Sequence, residues 1–261
     1  MPTPPLAAKR LLSQNSDLRR SGVWNWSIPA HTVRLETGSL FNCCPNAGVC
    51  ARVCYAKFGT YRFSNVLARH TANLEYFLYW PVKWQAHMTE ELQHKRFLPS
   101  GKPHDLPGDP ADLWLSDWIH GGGRAVRIHD AGDFFNDHYF LAWCEIAQSL
   151  PHILFYAYTK EVSMVTRLNG IIPGNLRLLF SYGGLEDHLI DREQHRNADV
   201  FPNLEELLAA GYTDQGDSDL LAVCAPTNKI GIVANNLPVP NKRFAGATMS
   251  SLMAEKAQQK V

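Results

Sequence analysis

Short apolar runs alternate with helix-like segments along most of this 261-residue chain, and that alternation constrains the fold more than any other feature. Runs rich in Val, Ile, Leu, Phe and Tyr occupy 23–28, 125–129, 153–158, 176–181, 220–224 and 230–234 and read as strands. Between them, 61–84, 136–149, 162–168 and 203–210 read as helices, the first from apolar residues at helical spacing. Strands alternating with helices predict a parallel sheet with crossover helices. The expected class is therefore α/β. A partial or complete β/α barrel is the leading architecture, and an open doubly wound parallel sheet is the alternative. Pro29 closes the first strand and Pro151 the helix over 136–149, while the proline-rich stretch 99–110 predicts an exposed loop or insertion. The domain plan is a flexible lead-in over 1–20, one α/β domain over 21–240, and a C-terminal tail or helix over 241–261.

Composition bounds the partners. With 45% hydrophobic and only 19% charged residues, the chain has enough apolar material for a core and is not a disordered type. Its 25 basic and 25 acidic residues cancel, so no global field draws it to nucleic acid or to an anionic membrane. Nucleic-acid contact would need a local basic patch. Lys9 with Arg10, Arg19 with Arg20, Lys95 with Arg96 and Lys242 with Arg243 offer at most a modest phosphate-contacting face. No apolar run approaches the roughly 20 residues of a membrane span, and the N-terminus lacks the order of a signal peptide. A cytoplasmic, reducing setting is expected, in which cysteines point to metal or catalysis more than to disulfides.

Four of the six cysteines, Cys43, Cys44, Cys50 and Cys54, fall within one short loop after the first predicted strand. Thiolates gathered on a loop suit a soft metal or an iron-sulfur cluster. A structural zinc site usually shows two short cysteine pairs and four ligands. Here the spacing is Cys-x5-Cys-x3-Cys with no second pair, so zinc would need Cys224 or a histidine as fourth ligand. Three cysteines instead leave one iron of a [4Fe-4S] cluster open to a small molecule. In parallel sheets the working residues sit at the C-terminal ends of strands. That rule selects the cysteine loop, His129 to Asp133, Tyr158 to Lys160, and Ser181 to Gly184, and predicts that they surround one mouth.

The segment from Cys44 to Ala56, then Gly59, Thr60 and Tyr61, then His129 to Phe134, then Tyr156 to Lys160, resembles the phage "gene product 88" domain. That domain is in turn similar to divergent radical S-adenosylmethionine enzymes. The resemblance spans about 28–234. It implies a partial β/α barrel of the radical-S-adenosylmethionine type. It also implies a [4Fe-4S] cluster on Cys44, Cys50 and Cys54, Tyr55 as the aromatic beside it, and Gly132 and Asp133 as the site for the amino group of S-adenosylmethionine. The implied activity is generation of a 5'-deoxyadenosyl radical for hydrogen abstraction and rearrangement or modification of a substrate. An amino-acid-modified thymine in phage DNA, or a nucleotide, is the candidate substrate, an electron donor the further partner, and the host cytoplasm the setting. The usual loop is Cys-x3-Cys-x2-Cys, and this one is longer in both intervals. Cys44 fits the pattern better than Cys43 because Pro45 follows it. The rival expectation is a non-catalytic, zinc- or iron-sulfur-stabilised phage binding protein with four protein ligands.

The remaining candidates each carry a plainer alternative. Asp133 is either a cofactor contact or the N-cap of the next helix. Asp130 reads as a turn residue, and His129 as hydrogen-bonded structure or a substrate contact. Lys160 is a point charge for a phosphate or carboxylate, or a solvated lysine. Gly183 and Gly184 allow close approach to a ligand or simply form a turn, and Gly121 to Arg124 form a flexible turn. Cys144 reads as buried and inert. Cys224 is the one other cysteine expected to reach the site.

Overall fold

The computed structural model describes residues 10–106, 110, 112–216, 218–234 and 246–259. Lys9, Lys242, Arg243 and residues 1–9 of the predicted lead-in fall outside the described residues, as do 241–245, 260 and 261 of the predicted tail. The chain runs through helix α1 (Ser16–Arg20), strand β1 (Val23–Trp26), a hairpin of β2 (Thr32–Arg34) and β3 (Leu40–Asn42), and helix α2 (Cys50–Val53). Helices α3 (Ser64–Tyr79), α4 (Pro81–Leu92) and α5 (Leu113–His120) follow. Next come β4 (Arg124–Ile128), α6 (Asp137–Ser149), β5 (Ile153–Thr159), α7 (Val162–Arg167) and β6 (Leu176–Ser181). The last part holds β7 (Asn197–Phe201), α8 (Leu204–Ala209), β8 (Thr213–Asp214), α9 (Leu221–Cys224), β9 (Lys229–Val233) and α10 (Met249–Gln258).

Seven strands form one sheet in the order β1-β4-β5-β6-β7-β9-β8, and every neighbouring pair is parallel. The sheet is open, with β1 and β8 at its edges. The order advances from β1 to β7 and then reverses, with β9 between β7 and β8, so the described residues form an open parallel α/β sheet, as the alternative expected. Both faces are covered, as a parallel sheet requires. Trp26, Val126, Ile128, Phe155 and Ala157 pack under α3, α4, α6 and α7. Their neighbours along the strands, Ala125, Leu154, Tyr156, Leu179 and Ala198, turn to the opposite face and meet α1, α5 and α9. The first face is locked by a cluster of aromatic rings. Trp84 lies 5.6 Å from Trp26, 5.2 Å from Trp143 and 5.8 Å from Tyr139 between ring centroids, and burying each such side chain contributes roughly 1.5–3 kcal/mol.

Most of the predicted strands and helices are found at nearly the predicted positions. Three differ. The helix predicted over 61–84 is two helices, because Pro81 lacks an N–H and drives Trp80 out of the helical region (φ −140°, ψ 59°). The run 220–224 holds the helix α9 and not a strand, since five apolar residues are too few for periodicity to separate the two. Strand β7 escaped notice because Asn197 and Asp199 interrupt it. Both are buried and paired, Asn197 with the Tyr212 hydroxyl and Asp199 with the N-terminus of α10.

Candidate functional site

Adjacent cysteines leave β3 in opposite directions. Cys43 is fully buried in the core, its carbonyl accepting from the Asp133 N–H at 3.0 Å and its thiol pushed up to about 12 by burial. Cys44 turns the other way into a cavity, where its Sγ accepts from the His31 N–H at 3.3 Å. The loop that follows is knitted to the sheet. The Asn46 N–H and side-chain amide donate to Glu161 at 3.2 and 2.8 Å, the Asn46 carbonyl accepts from Leu185 N–H at 2.8 Å, and Cys50 N–H donates to the Gly183 carbonyl at 3.1 Å. Gly48 has to be glycine, since a Cβ there would stand 2.8 Å from the Gly183 oxygen.

The second interval of the cysteine spacing has a simple geometric meaning. Cys50 opens α2 and Cys54 caps its C-terminal end, four residues on, so both fall on one face of a single turn. The Cys54 thiol donates a hydrogen bond to Cys50, and with Lys160 and Lys57 nearby this outweighs burial and lowers the Cys50 thiol to about 6. Cys54 is correspondingly raised by that same bond and by burial. Burial and the Asp133 carboxylate raise Cys44.

All three cysteines line one cavity of about 550 Å³, together with Tyr55, Gly132 and Asp133. Its wall is built from the C-terminal ends of successive strands: Asp130 and Gly132 after β4, Lys160 after β5, Ser181 and Tyr182 at the end of β6, and Val200 on β7. The strand-end rule therefore located the cavity. Gly132 reaches it with φ +93°, and an added Cβ would stand 2.2 Å from Ile28, so no side chain is tolerated there. Helix α10 closes the outside of the loop. Met253 Sδ accepts from the Val49 N–H at 3.2 Å, and Met249 lines the cavity.

Asp133 is not a helix cap, because Asn136 caps α6. Its buried carboxylate ties β4 to β5, accepting from Phe134 N–H at 2.8 Å, Thr159 Oγ1 at 2.7 Å and Lys160 N–H at 2.9 Å. Burial raises its pKa against those three bonds. Lys160 is no solvated lysine. Nζ donates to the Ser181 hydroxyl at 2.9 Å and to the Ser181 and Tyr182 carbonyls at 3.1 and 3.2 Å. Burial opposes its charge, but Cys50, Asp133 and Asp187 more than offset that. His129 sits at φ 68°, buried at the cavity's edge, with Nε2 2.9 Å from the Tyr139 hydroxyl, and burial lowers its pKa to about 3. Gly183 and Gly184 form a turn whose N–H groups both donate to Asp187. Cys224 is buried among the residues packed by α9 and does not line the cavity, contrary to expectation; Cys144 is buried in α6, as its apolar neighbours implied.

Glu161 carries a testable charge state. Burial, and then the neighbouring Asp133 carboxylate, raise its pKa from 4.5 to about 8, with the Asn46 bonds opposing. A raised carboxyl favours the protonated folded state, so stability from this group is full below about 4.5, falls as pH rises, and levels off above about 8. Thermal midpoints of the metal-free protein between pH 5 and 8 should decline more steeply for the native chain than for Glu161→Gln. Equal slopes would show that Glu161 is ionised throughout.

The far wall contains residues that strand and helix periodicity did not single out. Arg127, on β4, donates to Asp219 at 3.0 Å, pairs with Asp130 at 3.4 Å, and lies 5.5 Å over the Tyr158 ring. Tyr158 donates to Gln215 at 3.0 Å, whose amide donates to Asp219 at 2.6 Å. Tyr55 and Tyr61 close this network by donating to the Asp130 carbonyl and carboxylate. Burial works against the Arg127 charge, yet Asp219, Tyr55 and Asp130 hold its pKa well above the usual arginine value. Two carboxylates face one guanidinium, which leaves this wall with a net negative charge and several hydroxyl and amide donors. An arginine inside an otherwise apolar buried strand was the available signal.

Among the described residues, no three His, Cys, Asp or Glu side chains converge as ligands of a single ion. Nor is any described helix long and apolar enough to cross a membrane. The sequence profile of the family described as Gene product 88 matches residues 7–248. Two curated relatives, each called "Gene 88 protein", come from Mycobacterium phage D29 and Mycobacterium phage L5. They are 26% and 27% identical to this chain over 155 residues, which is 58% of its length and 56% of theirs, so the chain spans a little over half of the relatives it matches. No solved structure matches it.

Proposed function

We propose, from the premise that this chain belongs to the Gene product 88 family, that its cavity is the active site of a radical S-adenosylmethionine-type enzyme. One observation carries the proposal: three cysteines that follow the first sheet strand share a single cavity with Gly132 and Asp133 from the end of the second. The donor set fits an iron-sulfur cluster. It is all sulfur, and the three thiols border one cavity, as suits a soft metal cluster bound by thiolates. The strand order from β1 to β7, which advances without reversal, also supports a partial β/α barrel of that type.

On this reading Cys44, Cys50 and Cys54 hold the [4Fe-4S] cluster, and Tyr55 flanks it. When bound, the cluster and S-adenosylmethionine supply an electron and a 5'-deoxyadenosyl radical. The chain's own residues bind and orient. Gly132 lets ligand approach the backbone closely. Asp133 has three of its roughly four acceptor sites filled internally, which leaves one for the cofactor's amino group. The network of Arg127, Asp219, Gln215 and Tyr158 faces the substrate, and the loop contacts through Asn46 and Gly183 hold the cysteines in register. An amino-acid-modified thymine in phage DNA, undergoing an isomerase-type rearrangement, is the proposed substrate, since the curated relatives are phage proteins. An electron donor is the second partner.

Anaerobic reconstitution with iron and sulfide tests this reading. About four irons and four sulfides per chain, followed by release of 5'-deoxyadenosine on reduction with S-adenosylmethionine, is the expected result. Stoichiometric zinc without labile sulfide would overturn it.

A further inference from the structure

From Thr37 through Leu74 the chain carries no Asp or Glu, yet the same stretch holds Arg52, Lys57, Arg62 and Arg69. In a chain whose formal charge is zero, this is a local excess of four positive charges on the segment that bears the cysteine loop. All four cations are exposed, and among the described residues none is in an ion pair. Lys57 hydrogen-bonds the Ala51 carbonyl, and Arg69 the carbonyls of Arg10 and Leu11, which orders both side chains without neutralising them.

Aromatic rings are interleaved with these charges. Tyr55 lines the cavity, its ring centroid lies 5.6 Å from that of Tyr61, and Tyr61 lies 6.2 Å from His70. These rings lead away from the cavity mouth along the segment 55–70. Phe63 stands 58% exposed beside Arg62, and Tyr55 is 48% exposed. Lys57 stands close enough to the cavity for its charge to act on Cys50 and His31.

A positive track interleaved with exposed aromatic rings is the arrangement that binds single-stranded nucleic acid: cations follow the phosphates, and rings stack on the bases whatever their sequence. Duplex readers instead place a helix or ribbon in a groove. Bases that undergo chemistry must leave the stack to reach a pocket. We infer that the rim formed by residues 52–70 is a docking track for a single-stranded polynucleotide that runs past the cavity mouth. That the strand delivers a base into the cavity rests on the functional reading above; that the rim binds a strand does not. The paired basic residues elsewhere serve other ends, Arg96 being held by Glu91 and by the Trp24 ring, and Arg20 by Asp17.

The test uses the full metal-free chain and a fluorescent oligodeoxythymidylate of about 20 nucleotides, long enough for several bound phosphates. Anisotropy should report binding whose log Kd rises with log salt concentration at a slope of about 3, from roughly 0.7 per neutralised phosphate. The double substitution Arg52→Ala with Arg62→Ala should lower that slope by about 1.4 and weaken binding at low salt by about tenfold or more. Phe63→Ala should weaken it by about fivefold or more without changing the slope. The equally charged control Lys83→Ala with Lys95→Ala should change neither, and unchanged thermal midpoints would show that all variants fold. An oligouridylate arm distinguishes the sources: tighter binding of one sugar type assigns the strand as DNA or RNA, and equal binding assigns a polynucleotide of either kind. No binding, binding indifferent to the rim substitutions, or tighter binding of duplex than of single strand would each overturn the inference. Because neither metal nor cofactor is present, these outcomes are independent of whether 5'-deoxyadenosine is formed.

Discussion

Cys50→Ser is expected to reduce iron and sulfide incorporation to background and to abolish 5'-deoxyadenosine formation, while leaving the stability of the metal-free protein within about 1 kcal/mol. The loss should exceed the roughly 10–100-fold typical of a residue that only supports a ligand. Cys50 is the thiol whose charge the site already favours, through the Cys54 hydrogen bond and Lys160, so it is the natural first ligand. The two other cysteines that a count would have offered behave oppositely. Cys43→Ala should retain the cluster but lose roughly 1 kcal/mol or more, because its side chain is fully buried in the core. Cys224→Ala should retain the cluster as well, since that residue lies outside the cavity. Iron content, labile sulfide and a urea unfolding curve on the three variants separate ligand from packing residue. Retention of a full cluster in Cys50→Ser would remove this residue from the ligand set.

Asp133→Ala is expected to cost about 3–5 kcal/mol of stability, a large part of the total for a domain of this kind. The carboxylate accepts from three donors, and truncation leaves the Phe134 and Lys160 N–H groups and the Thr159 hydroxyl without it in a buried setting. The Lys160 ammonium, held between Cys50 and Ser181, loses its nearby countercharge at the same time. Asp133→Asn keeps an acceptor for some of these donors and should cost less than half as much. Thr159→Val, which removes one donor and its bond, should cost about 1 kcal/mol. Urea unfolding at pH 7 measures all three. A residue that served only to hold a cofactor amine would leave the metal-free protein's stability unchanged when truncated. A flat result for Asp133→Ala would therefore assign it that role alone.

Sequence and structure agree best where local chemistry is self-sufficient. The strands over 124–128, 153–159 and 176–181 are apolar enough that no other assignment suits them, and the strand-end rule then led to the cavity. Agreement fails where a distant partner decides. Strand β7 carries Asn197 and Asp199, which look like loop residues until Tyr212 and Ser250 arrive from elsewhere in the chain to satisfy them. The hairpin of β2 and β3 is short and mostly exposed, so it shows no apolar alternation to read. The basic track is legible as an acid-free stretch and not as adjacent basic pairs, because its charges are spaced five to seven residues apart.

The cysteine loop divides the two sources of information most clearly. Sequence alone determined that the thiols are clustered and that they follow the first sheet strand, because these depend on chain order. Only the tertiary structure decided which of Cys43 and Cys44 faces the cavity. Two adjacent residues cannot both face it, and the choice is made by the Asp133 N–H, arriving from β4 to bond the Cys43 carbonyl while the core takes its side chain. It also decided that Lys160 lines the same cavity as Cys50, since that juxtaposition joins residues more than a hundred positions apart, and no local rule of spacing or propensity reaches so far.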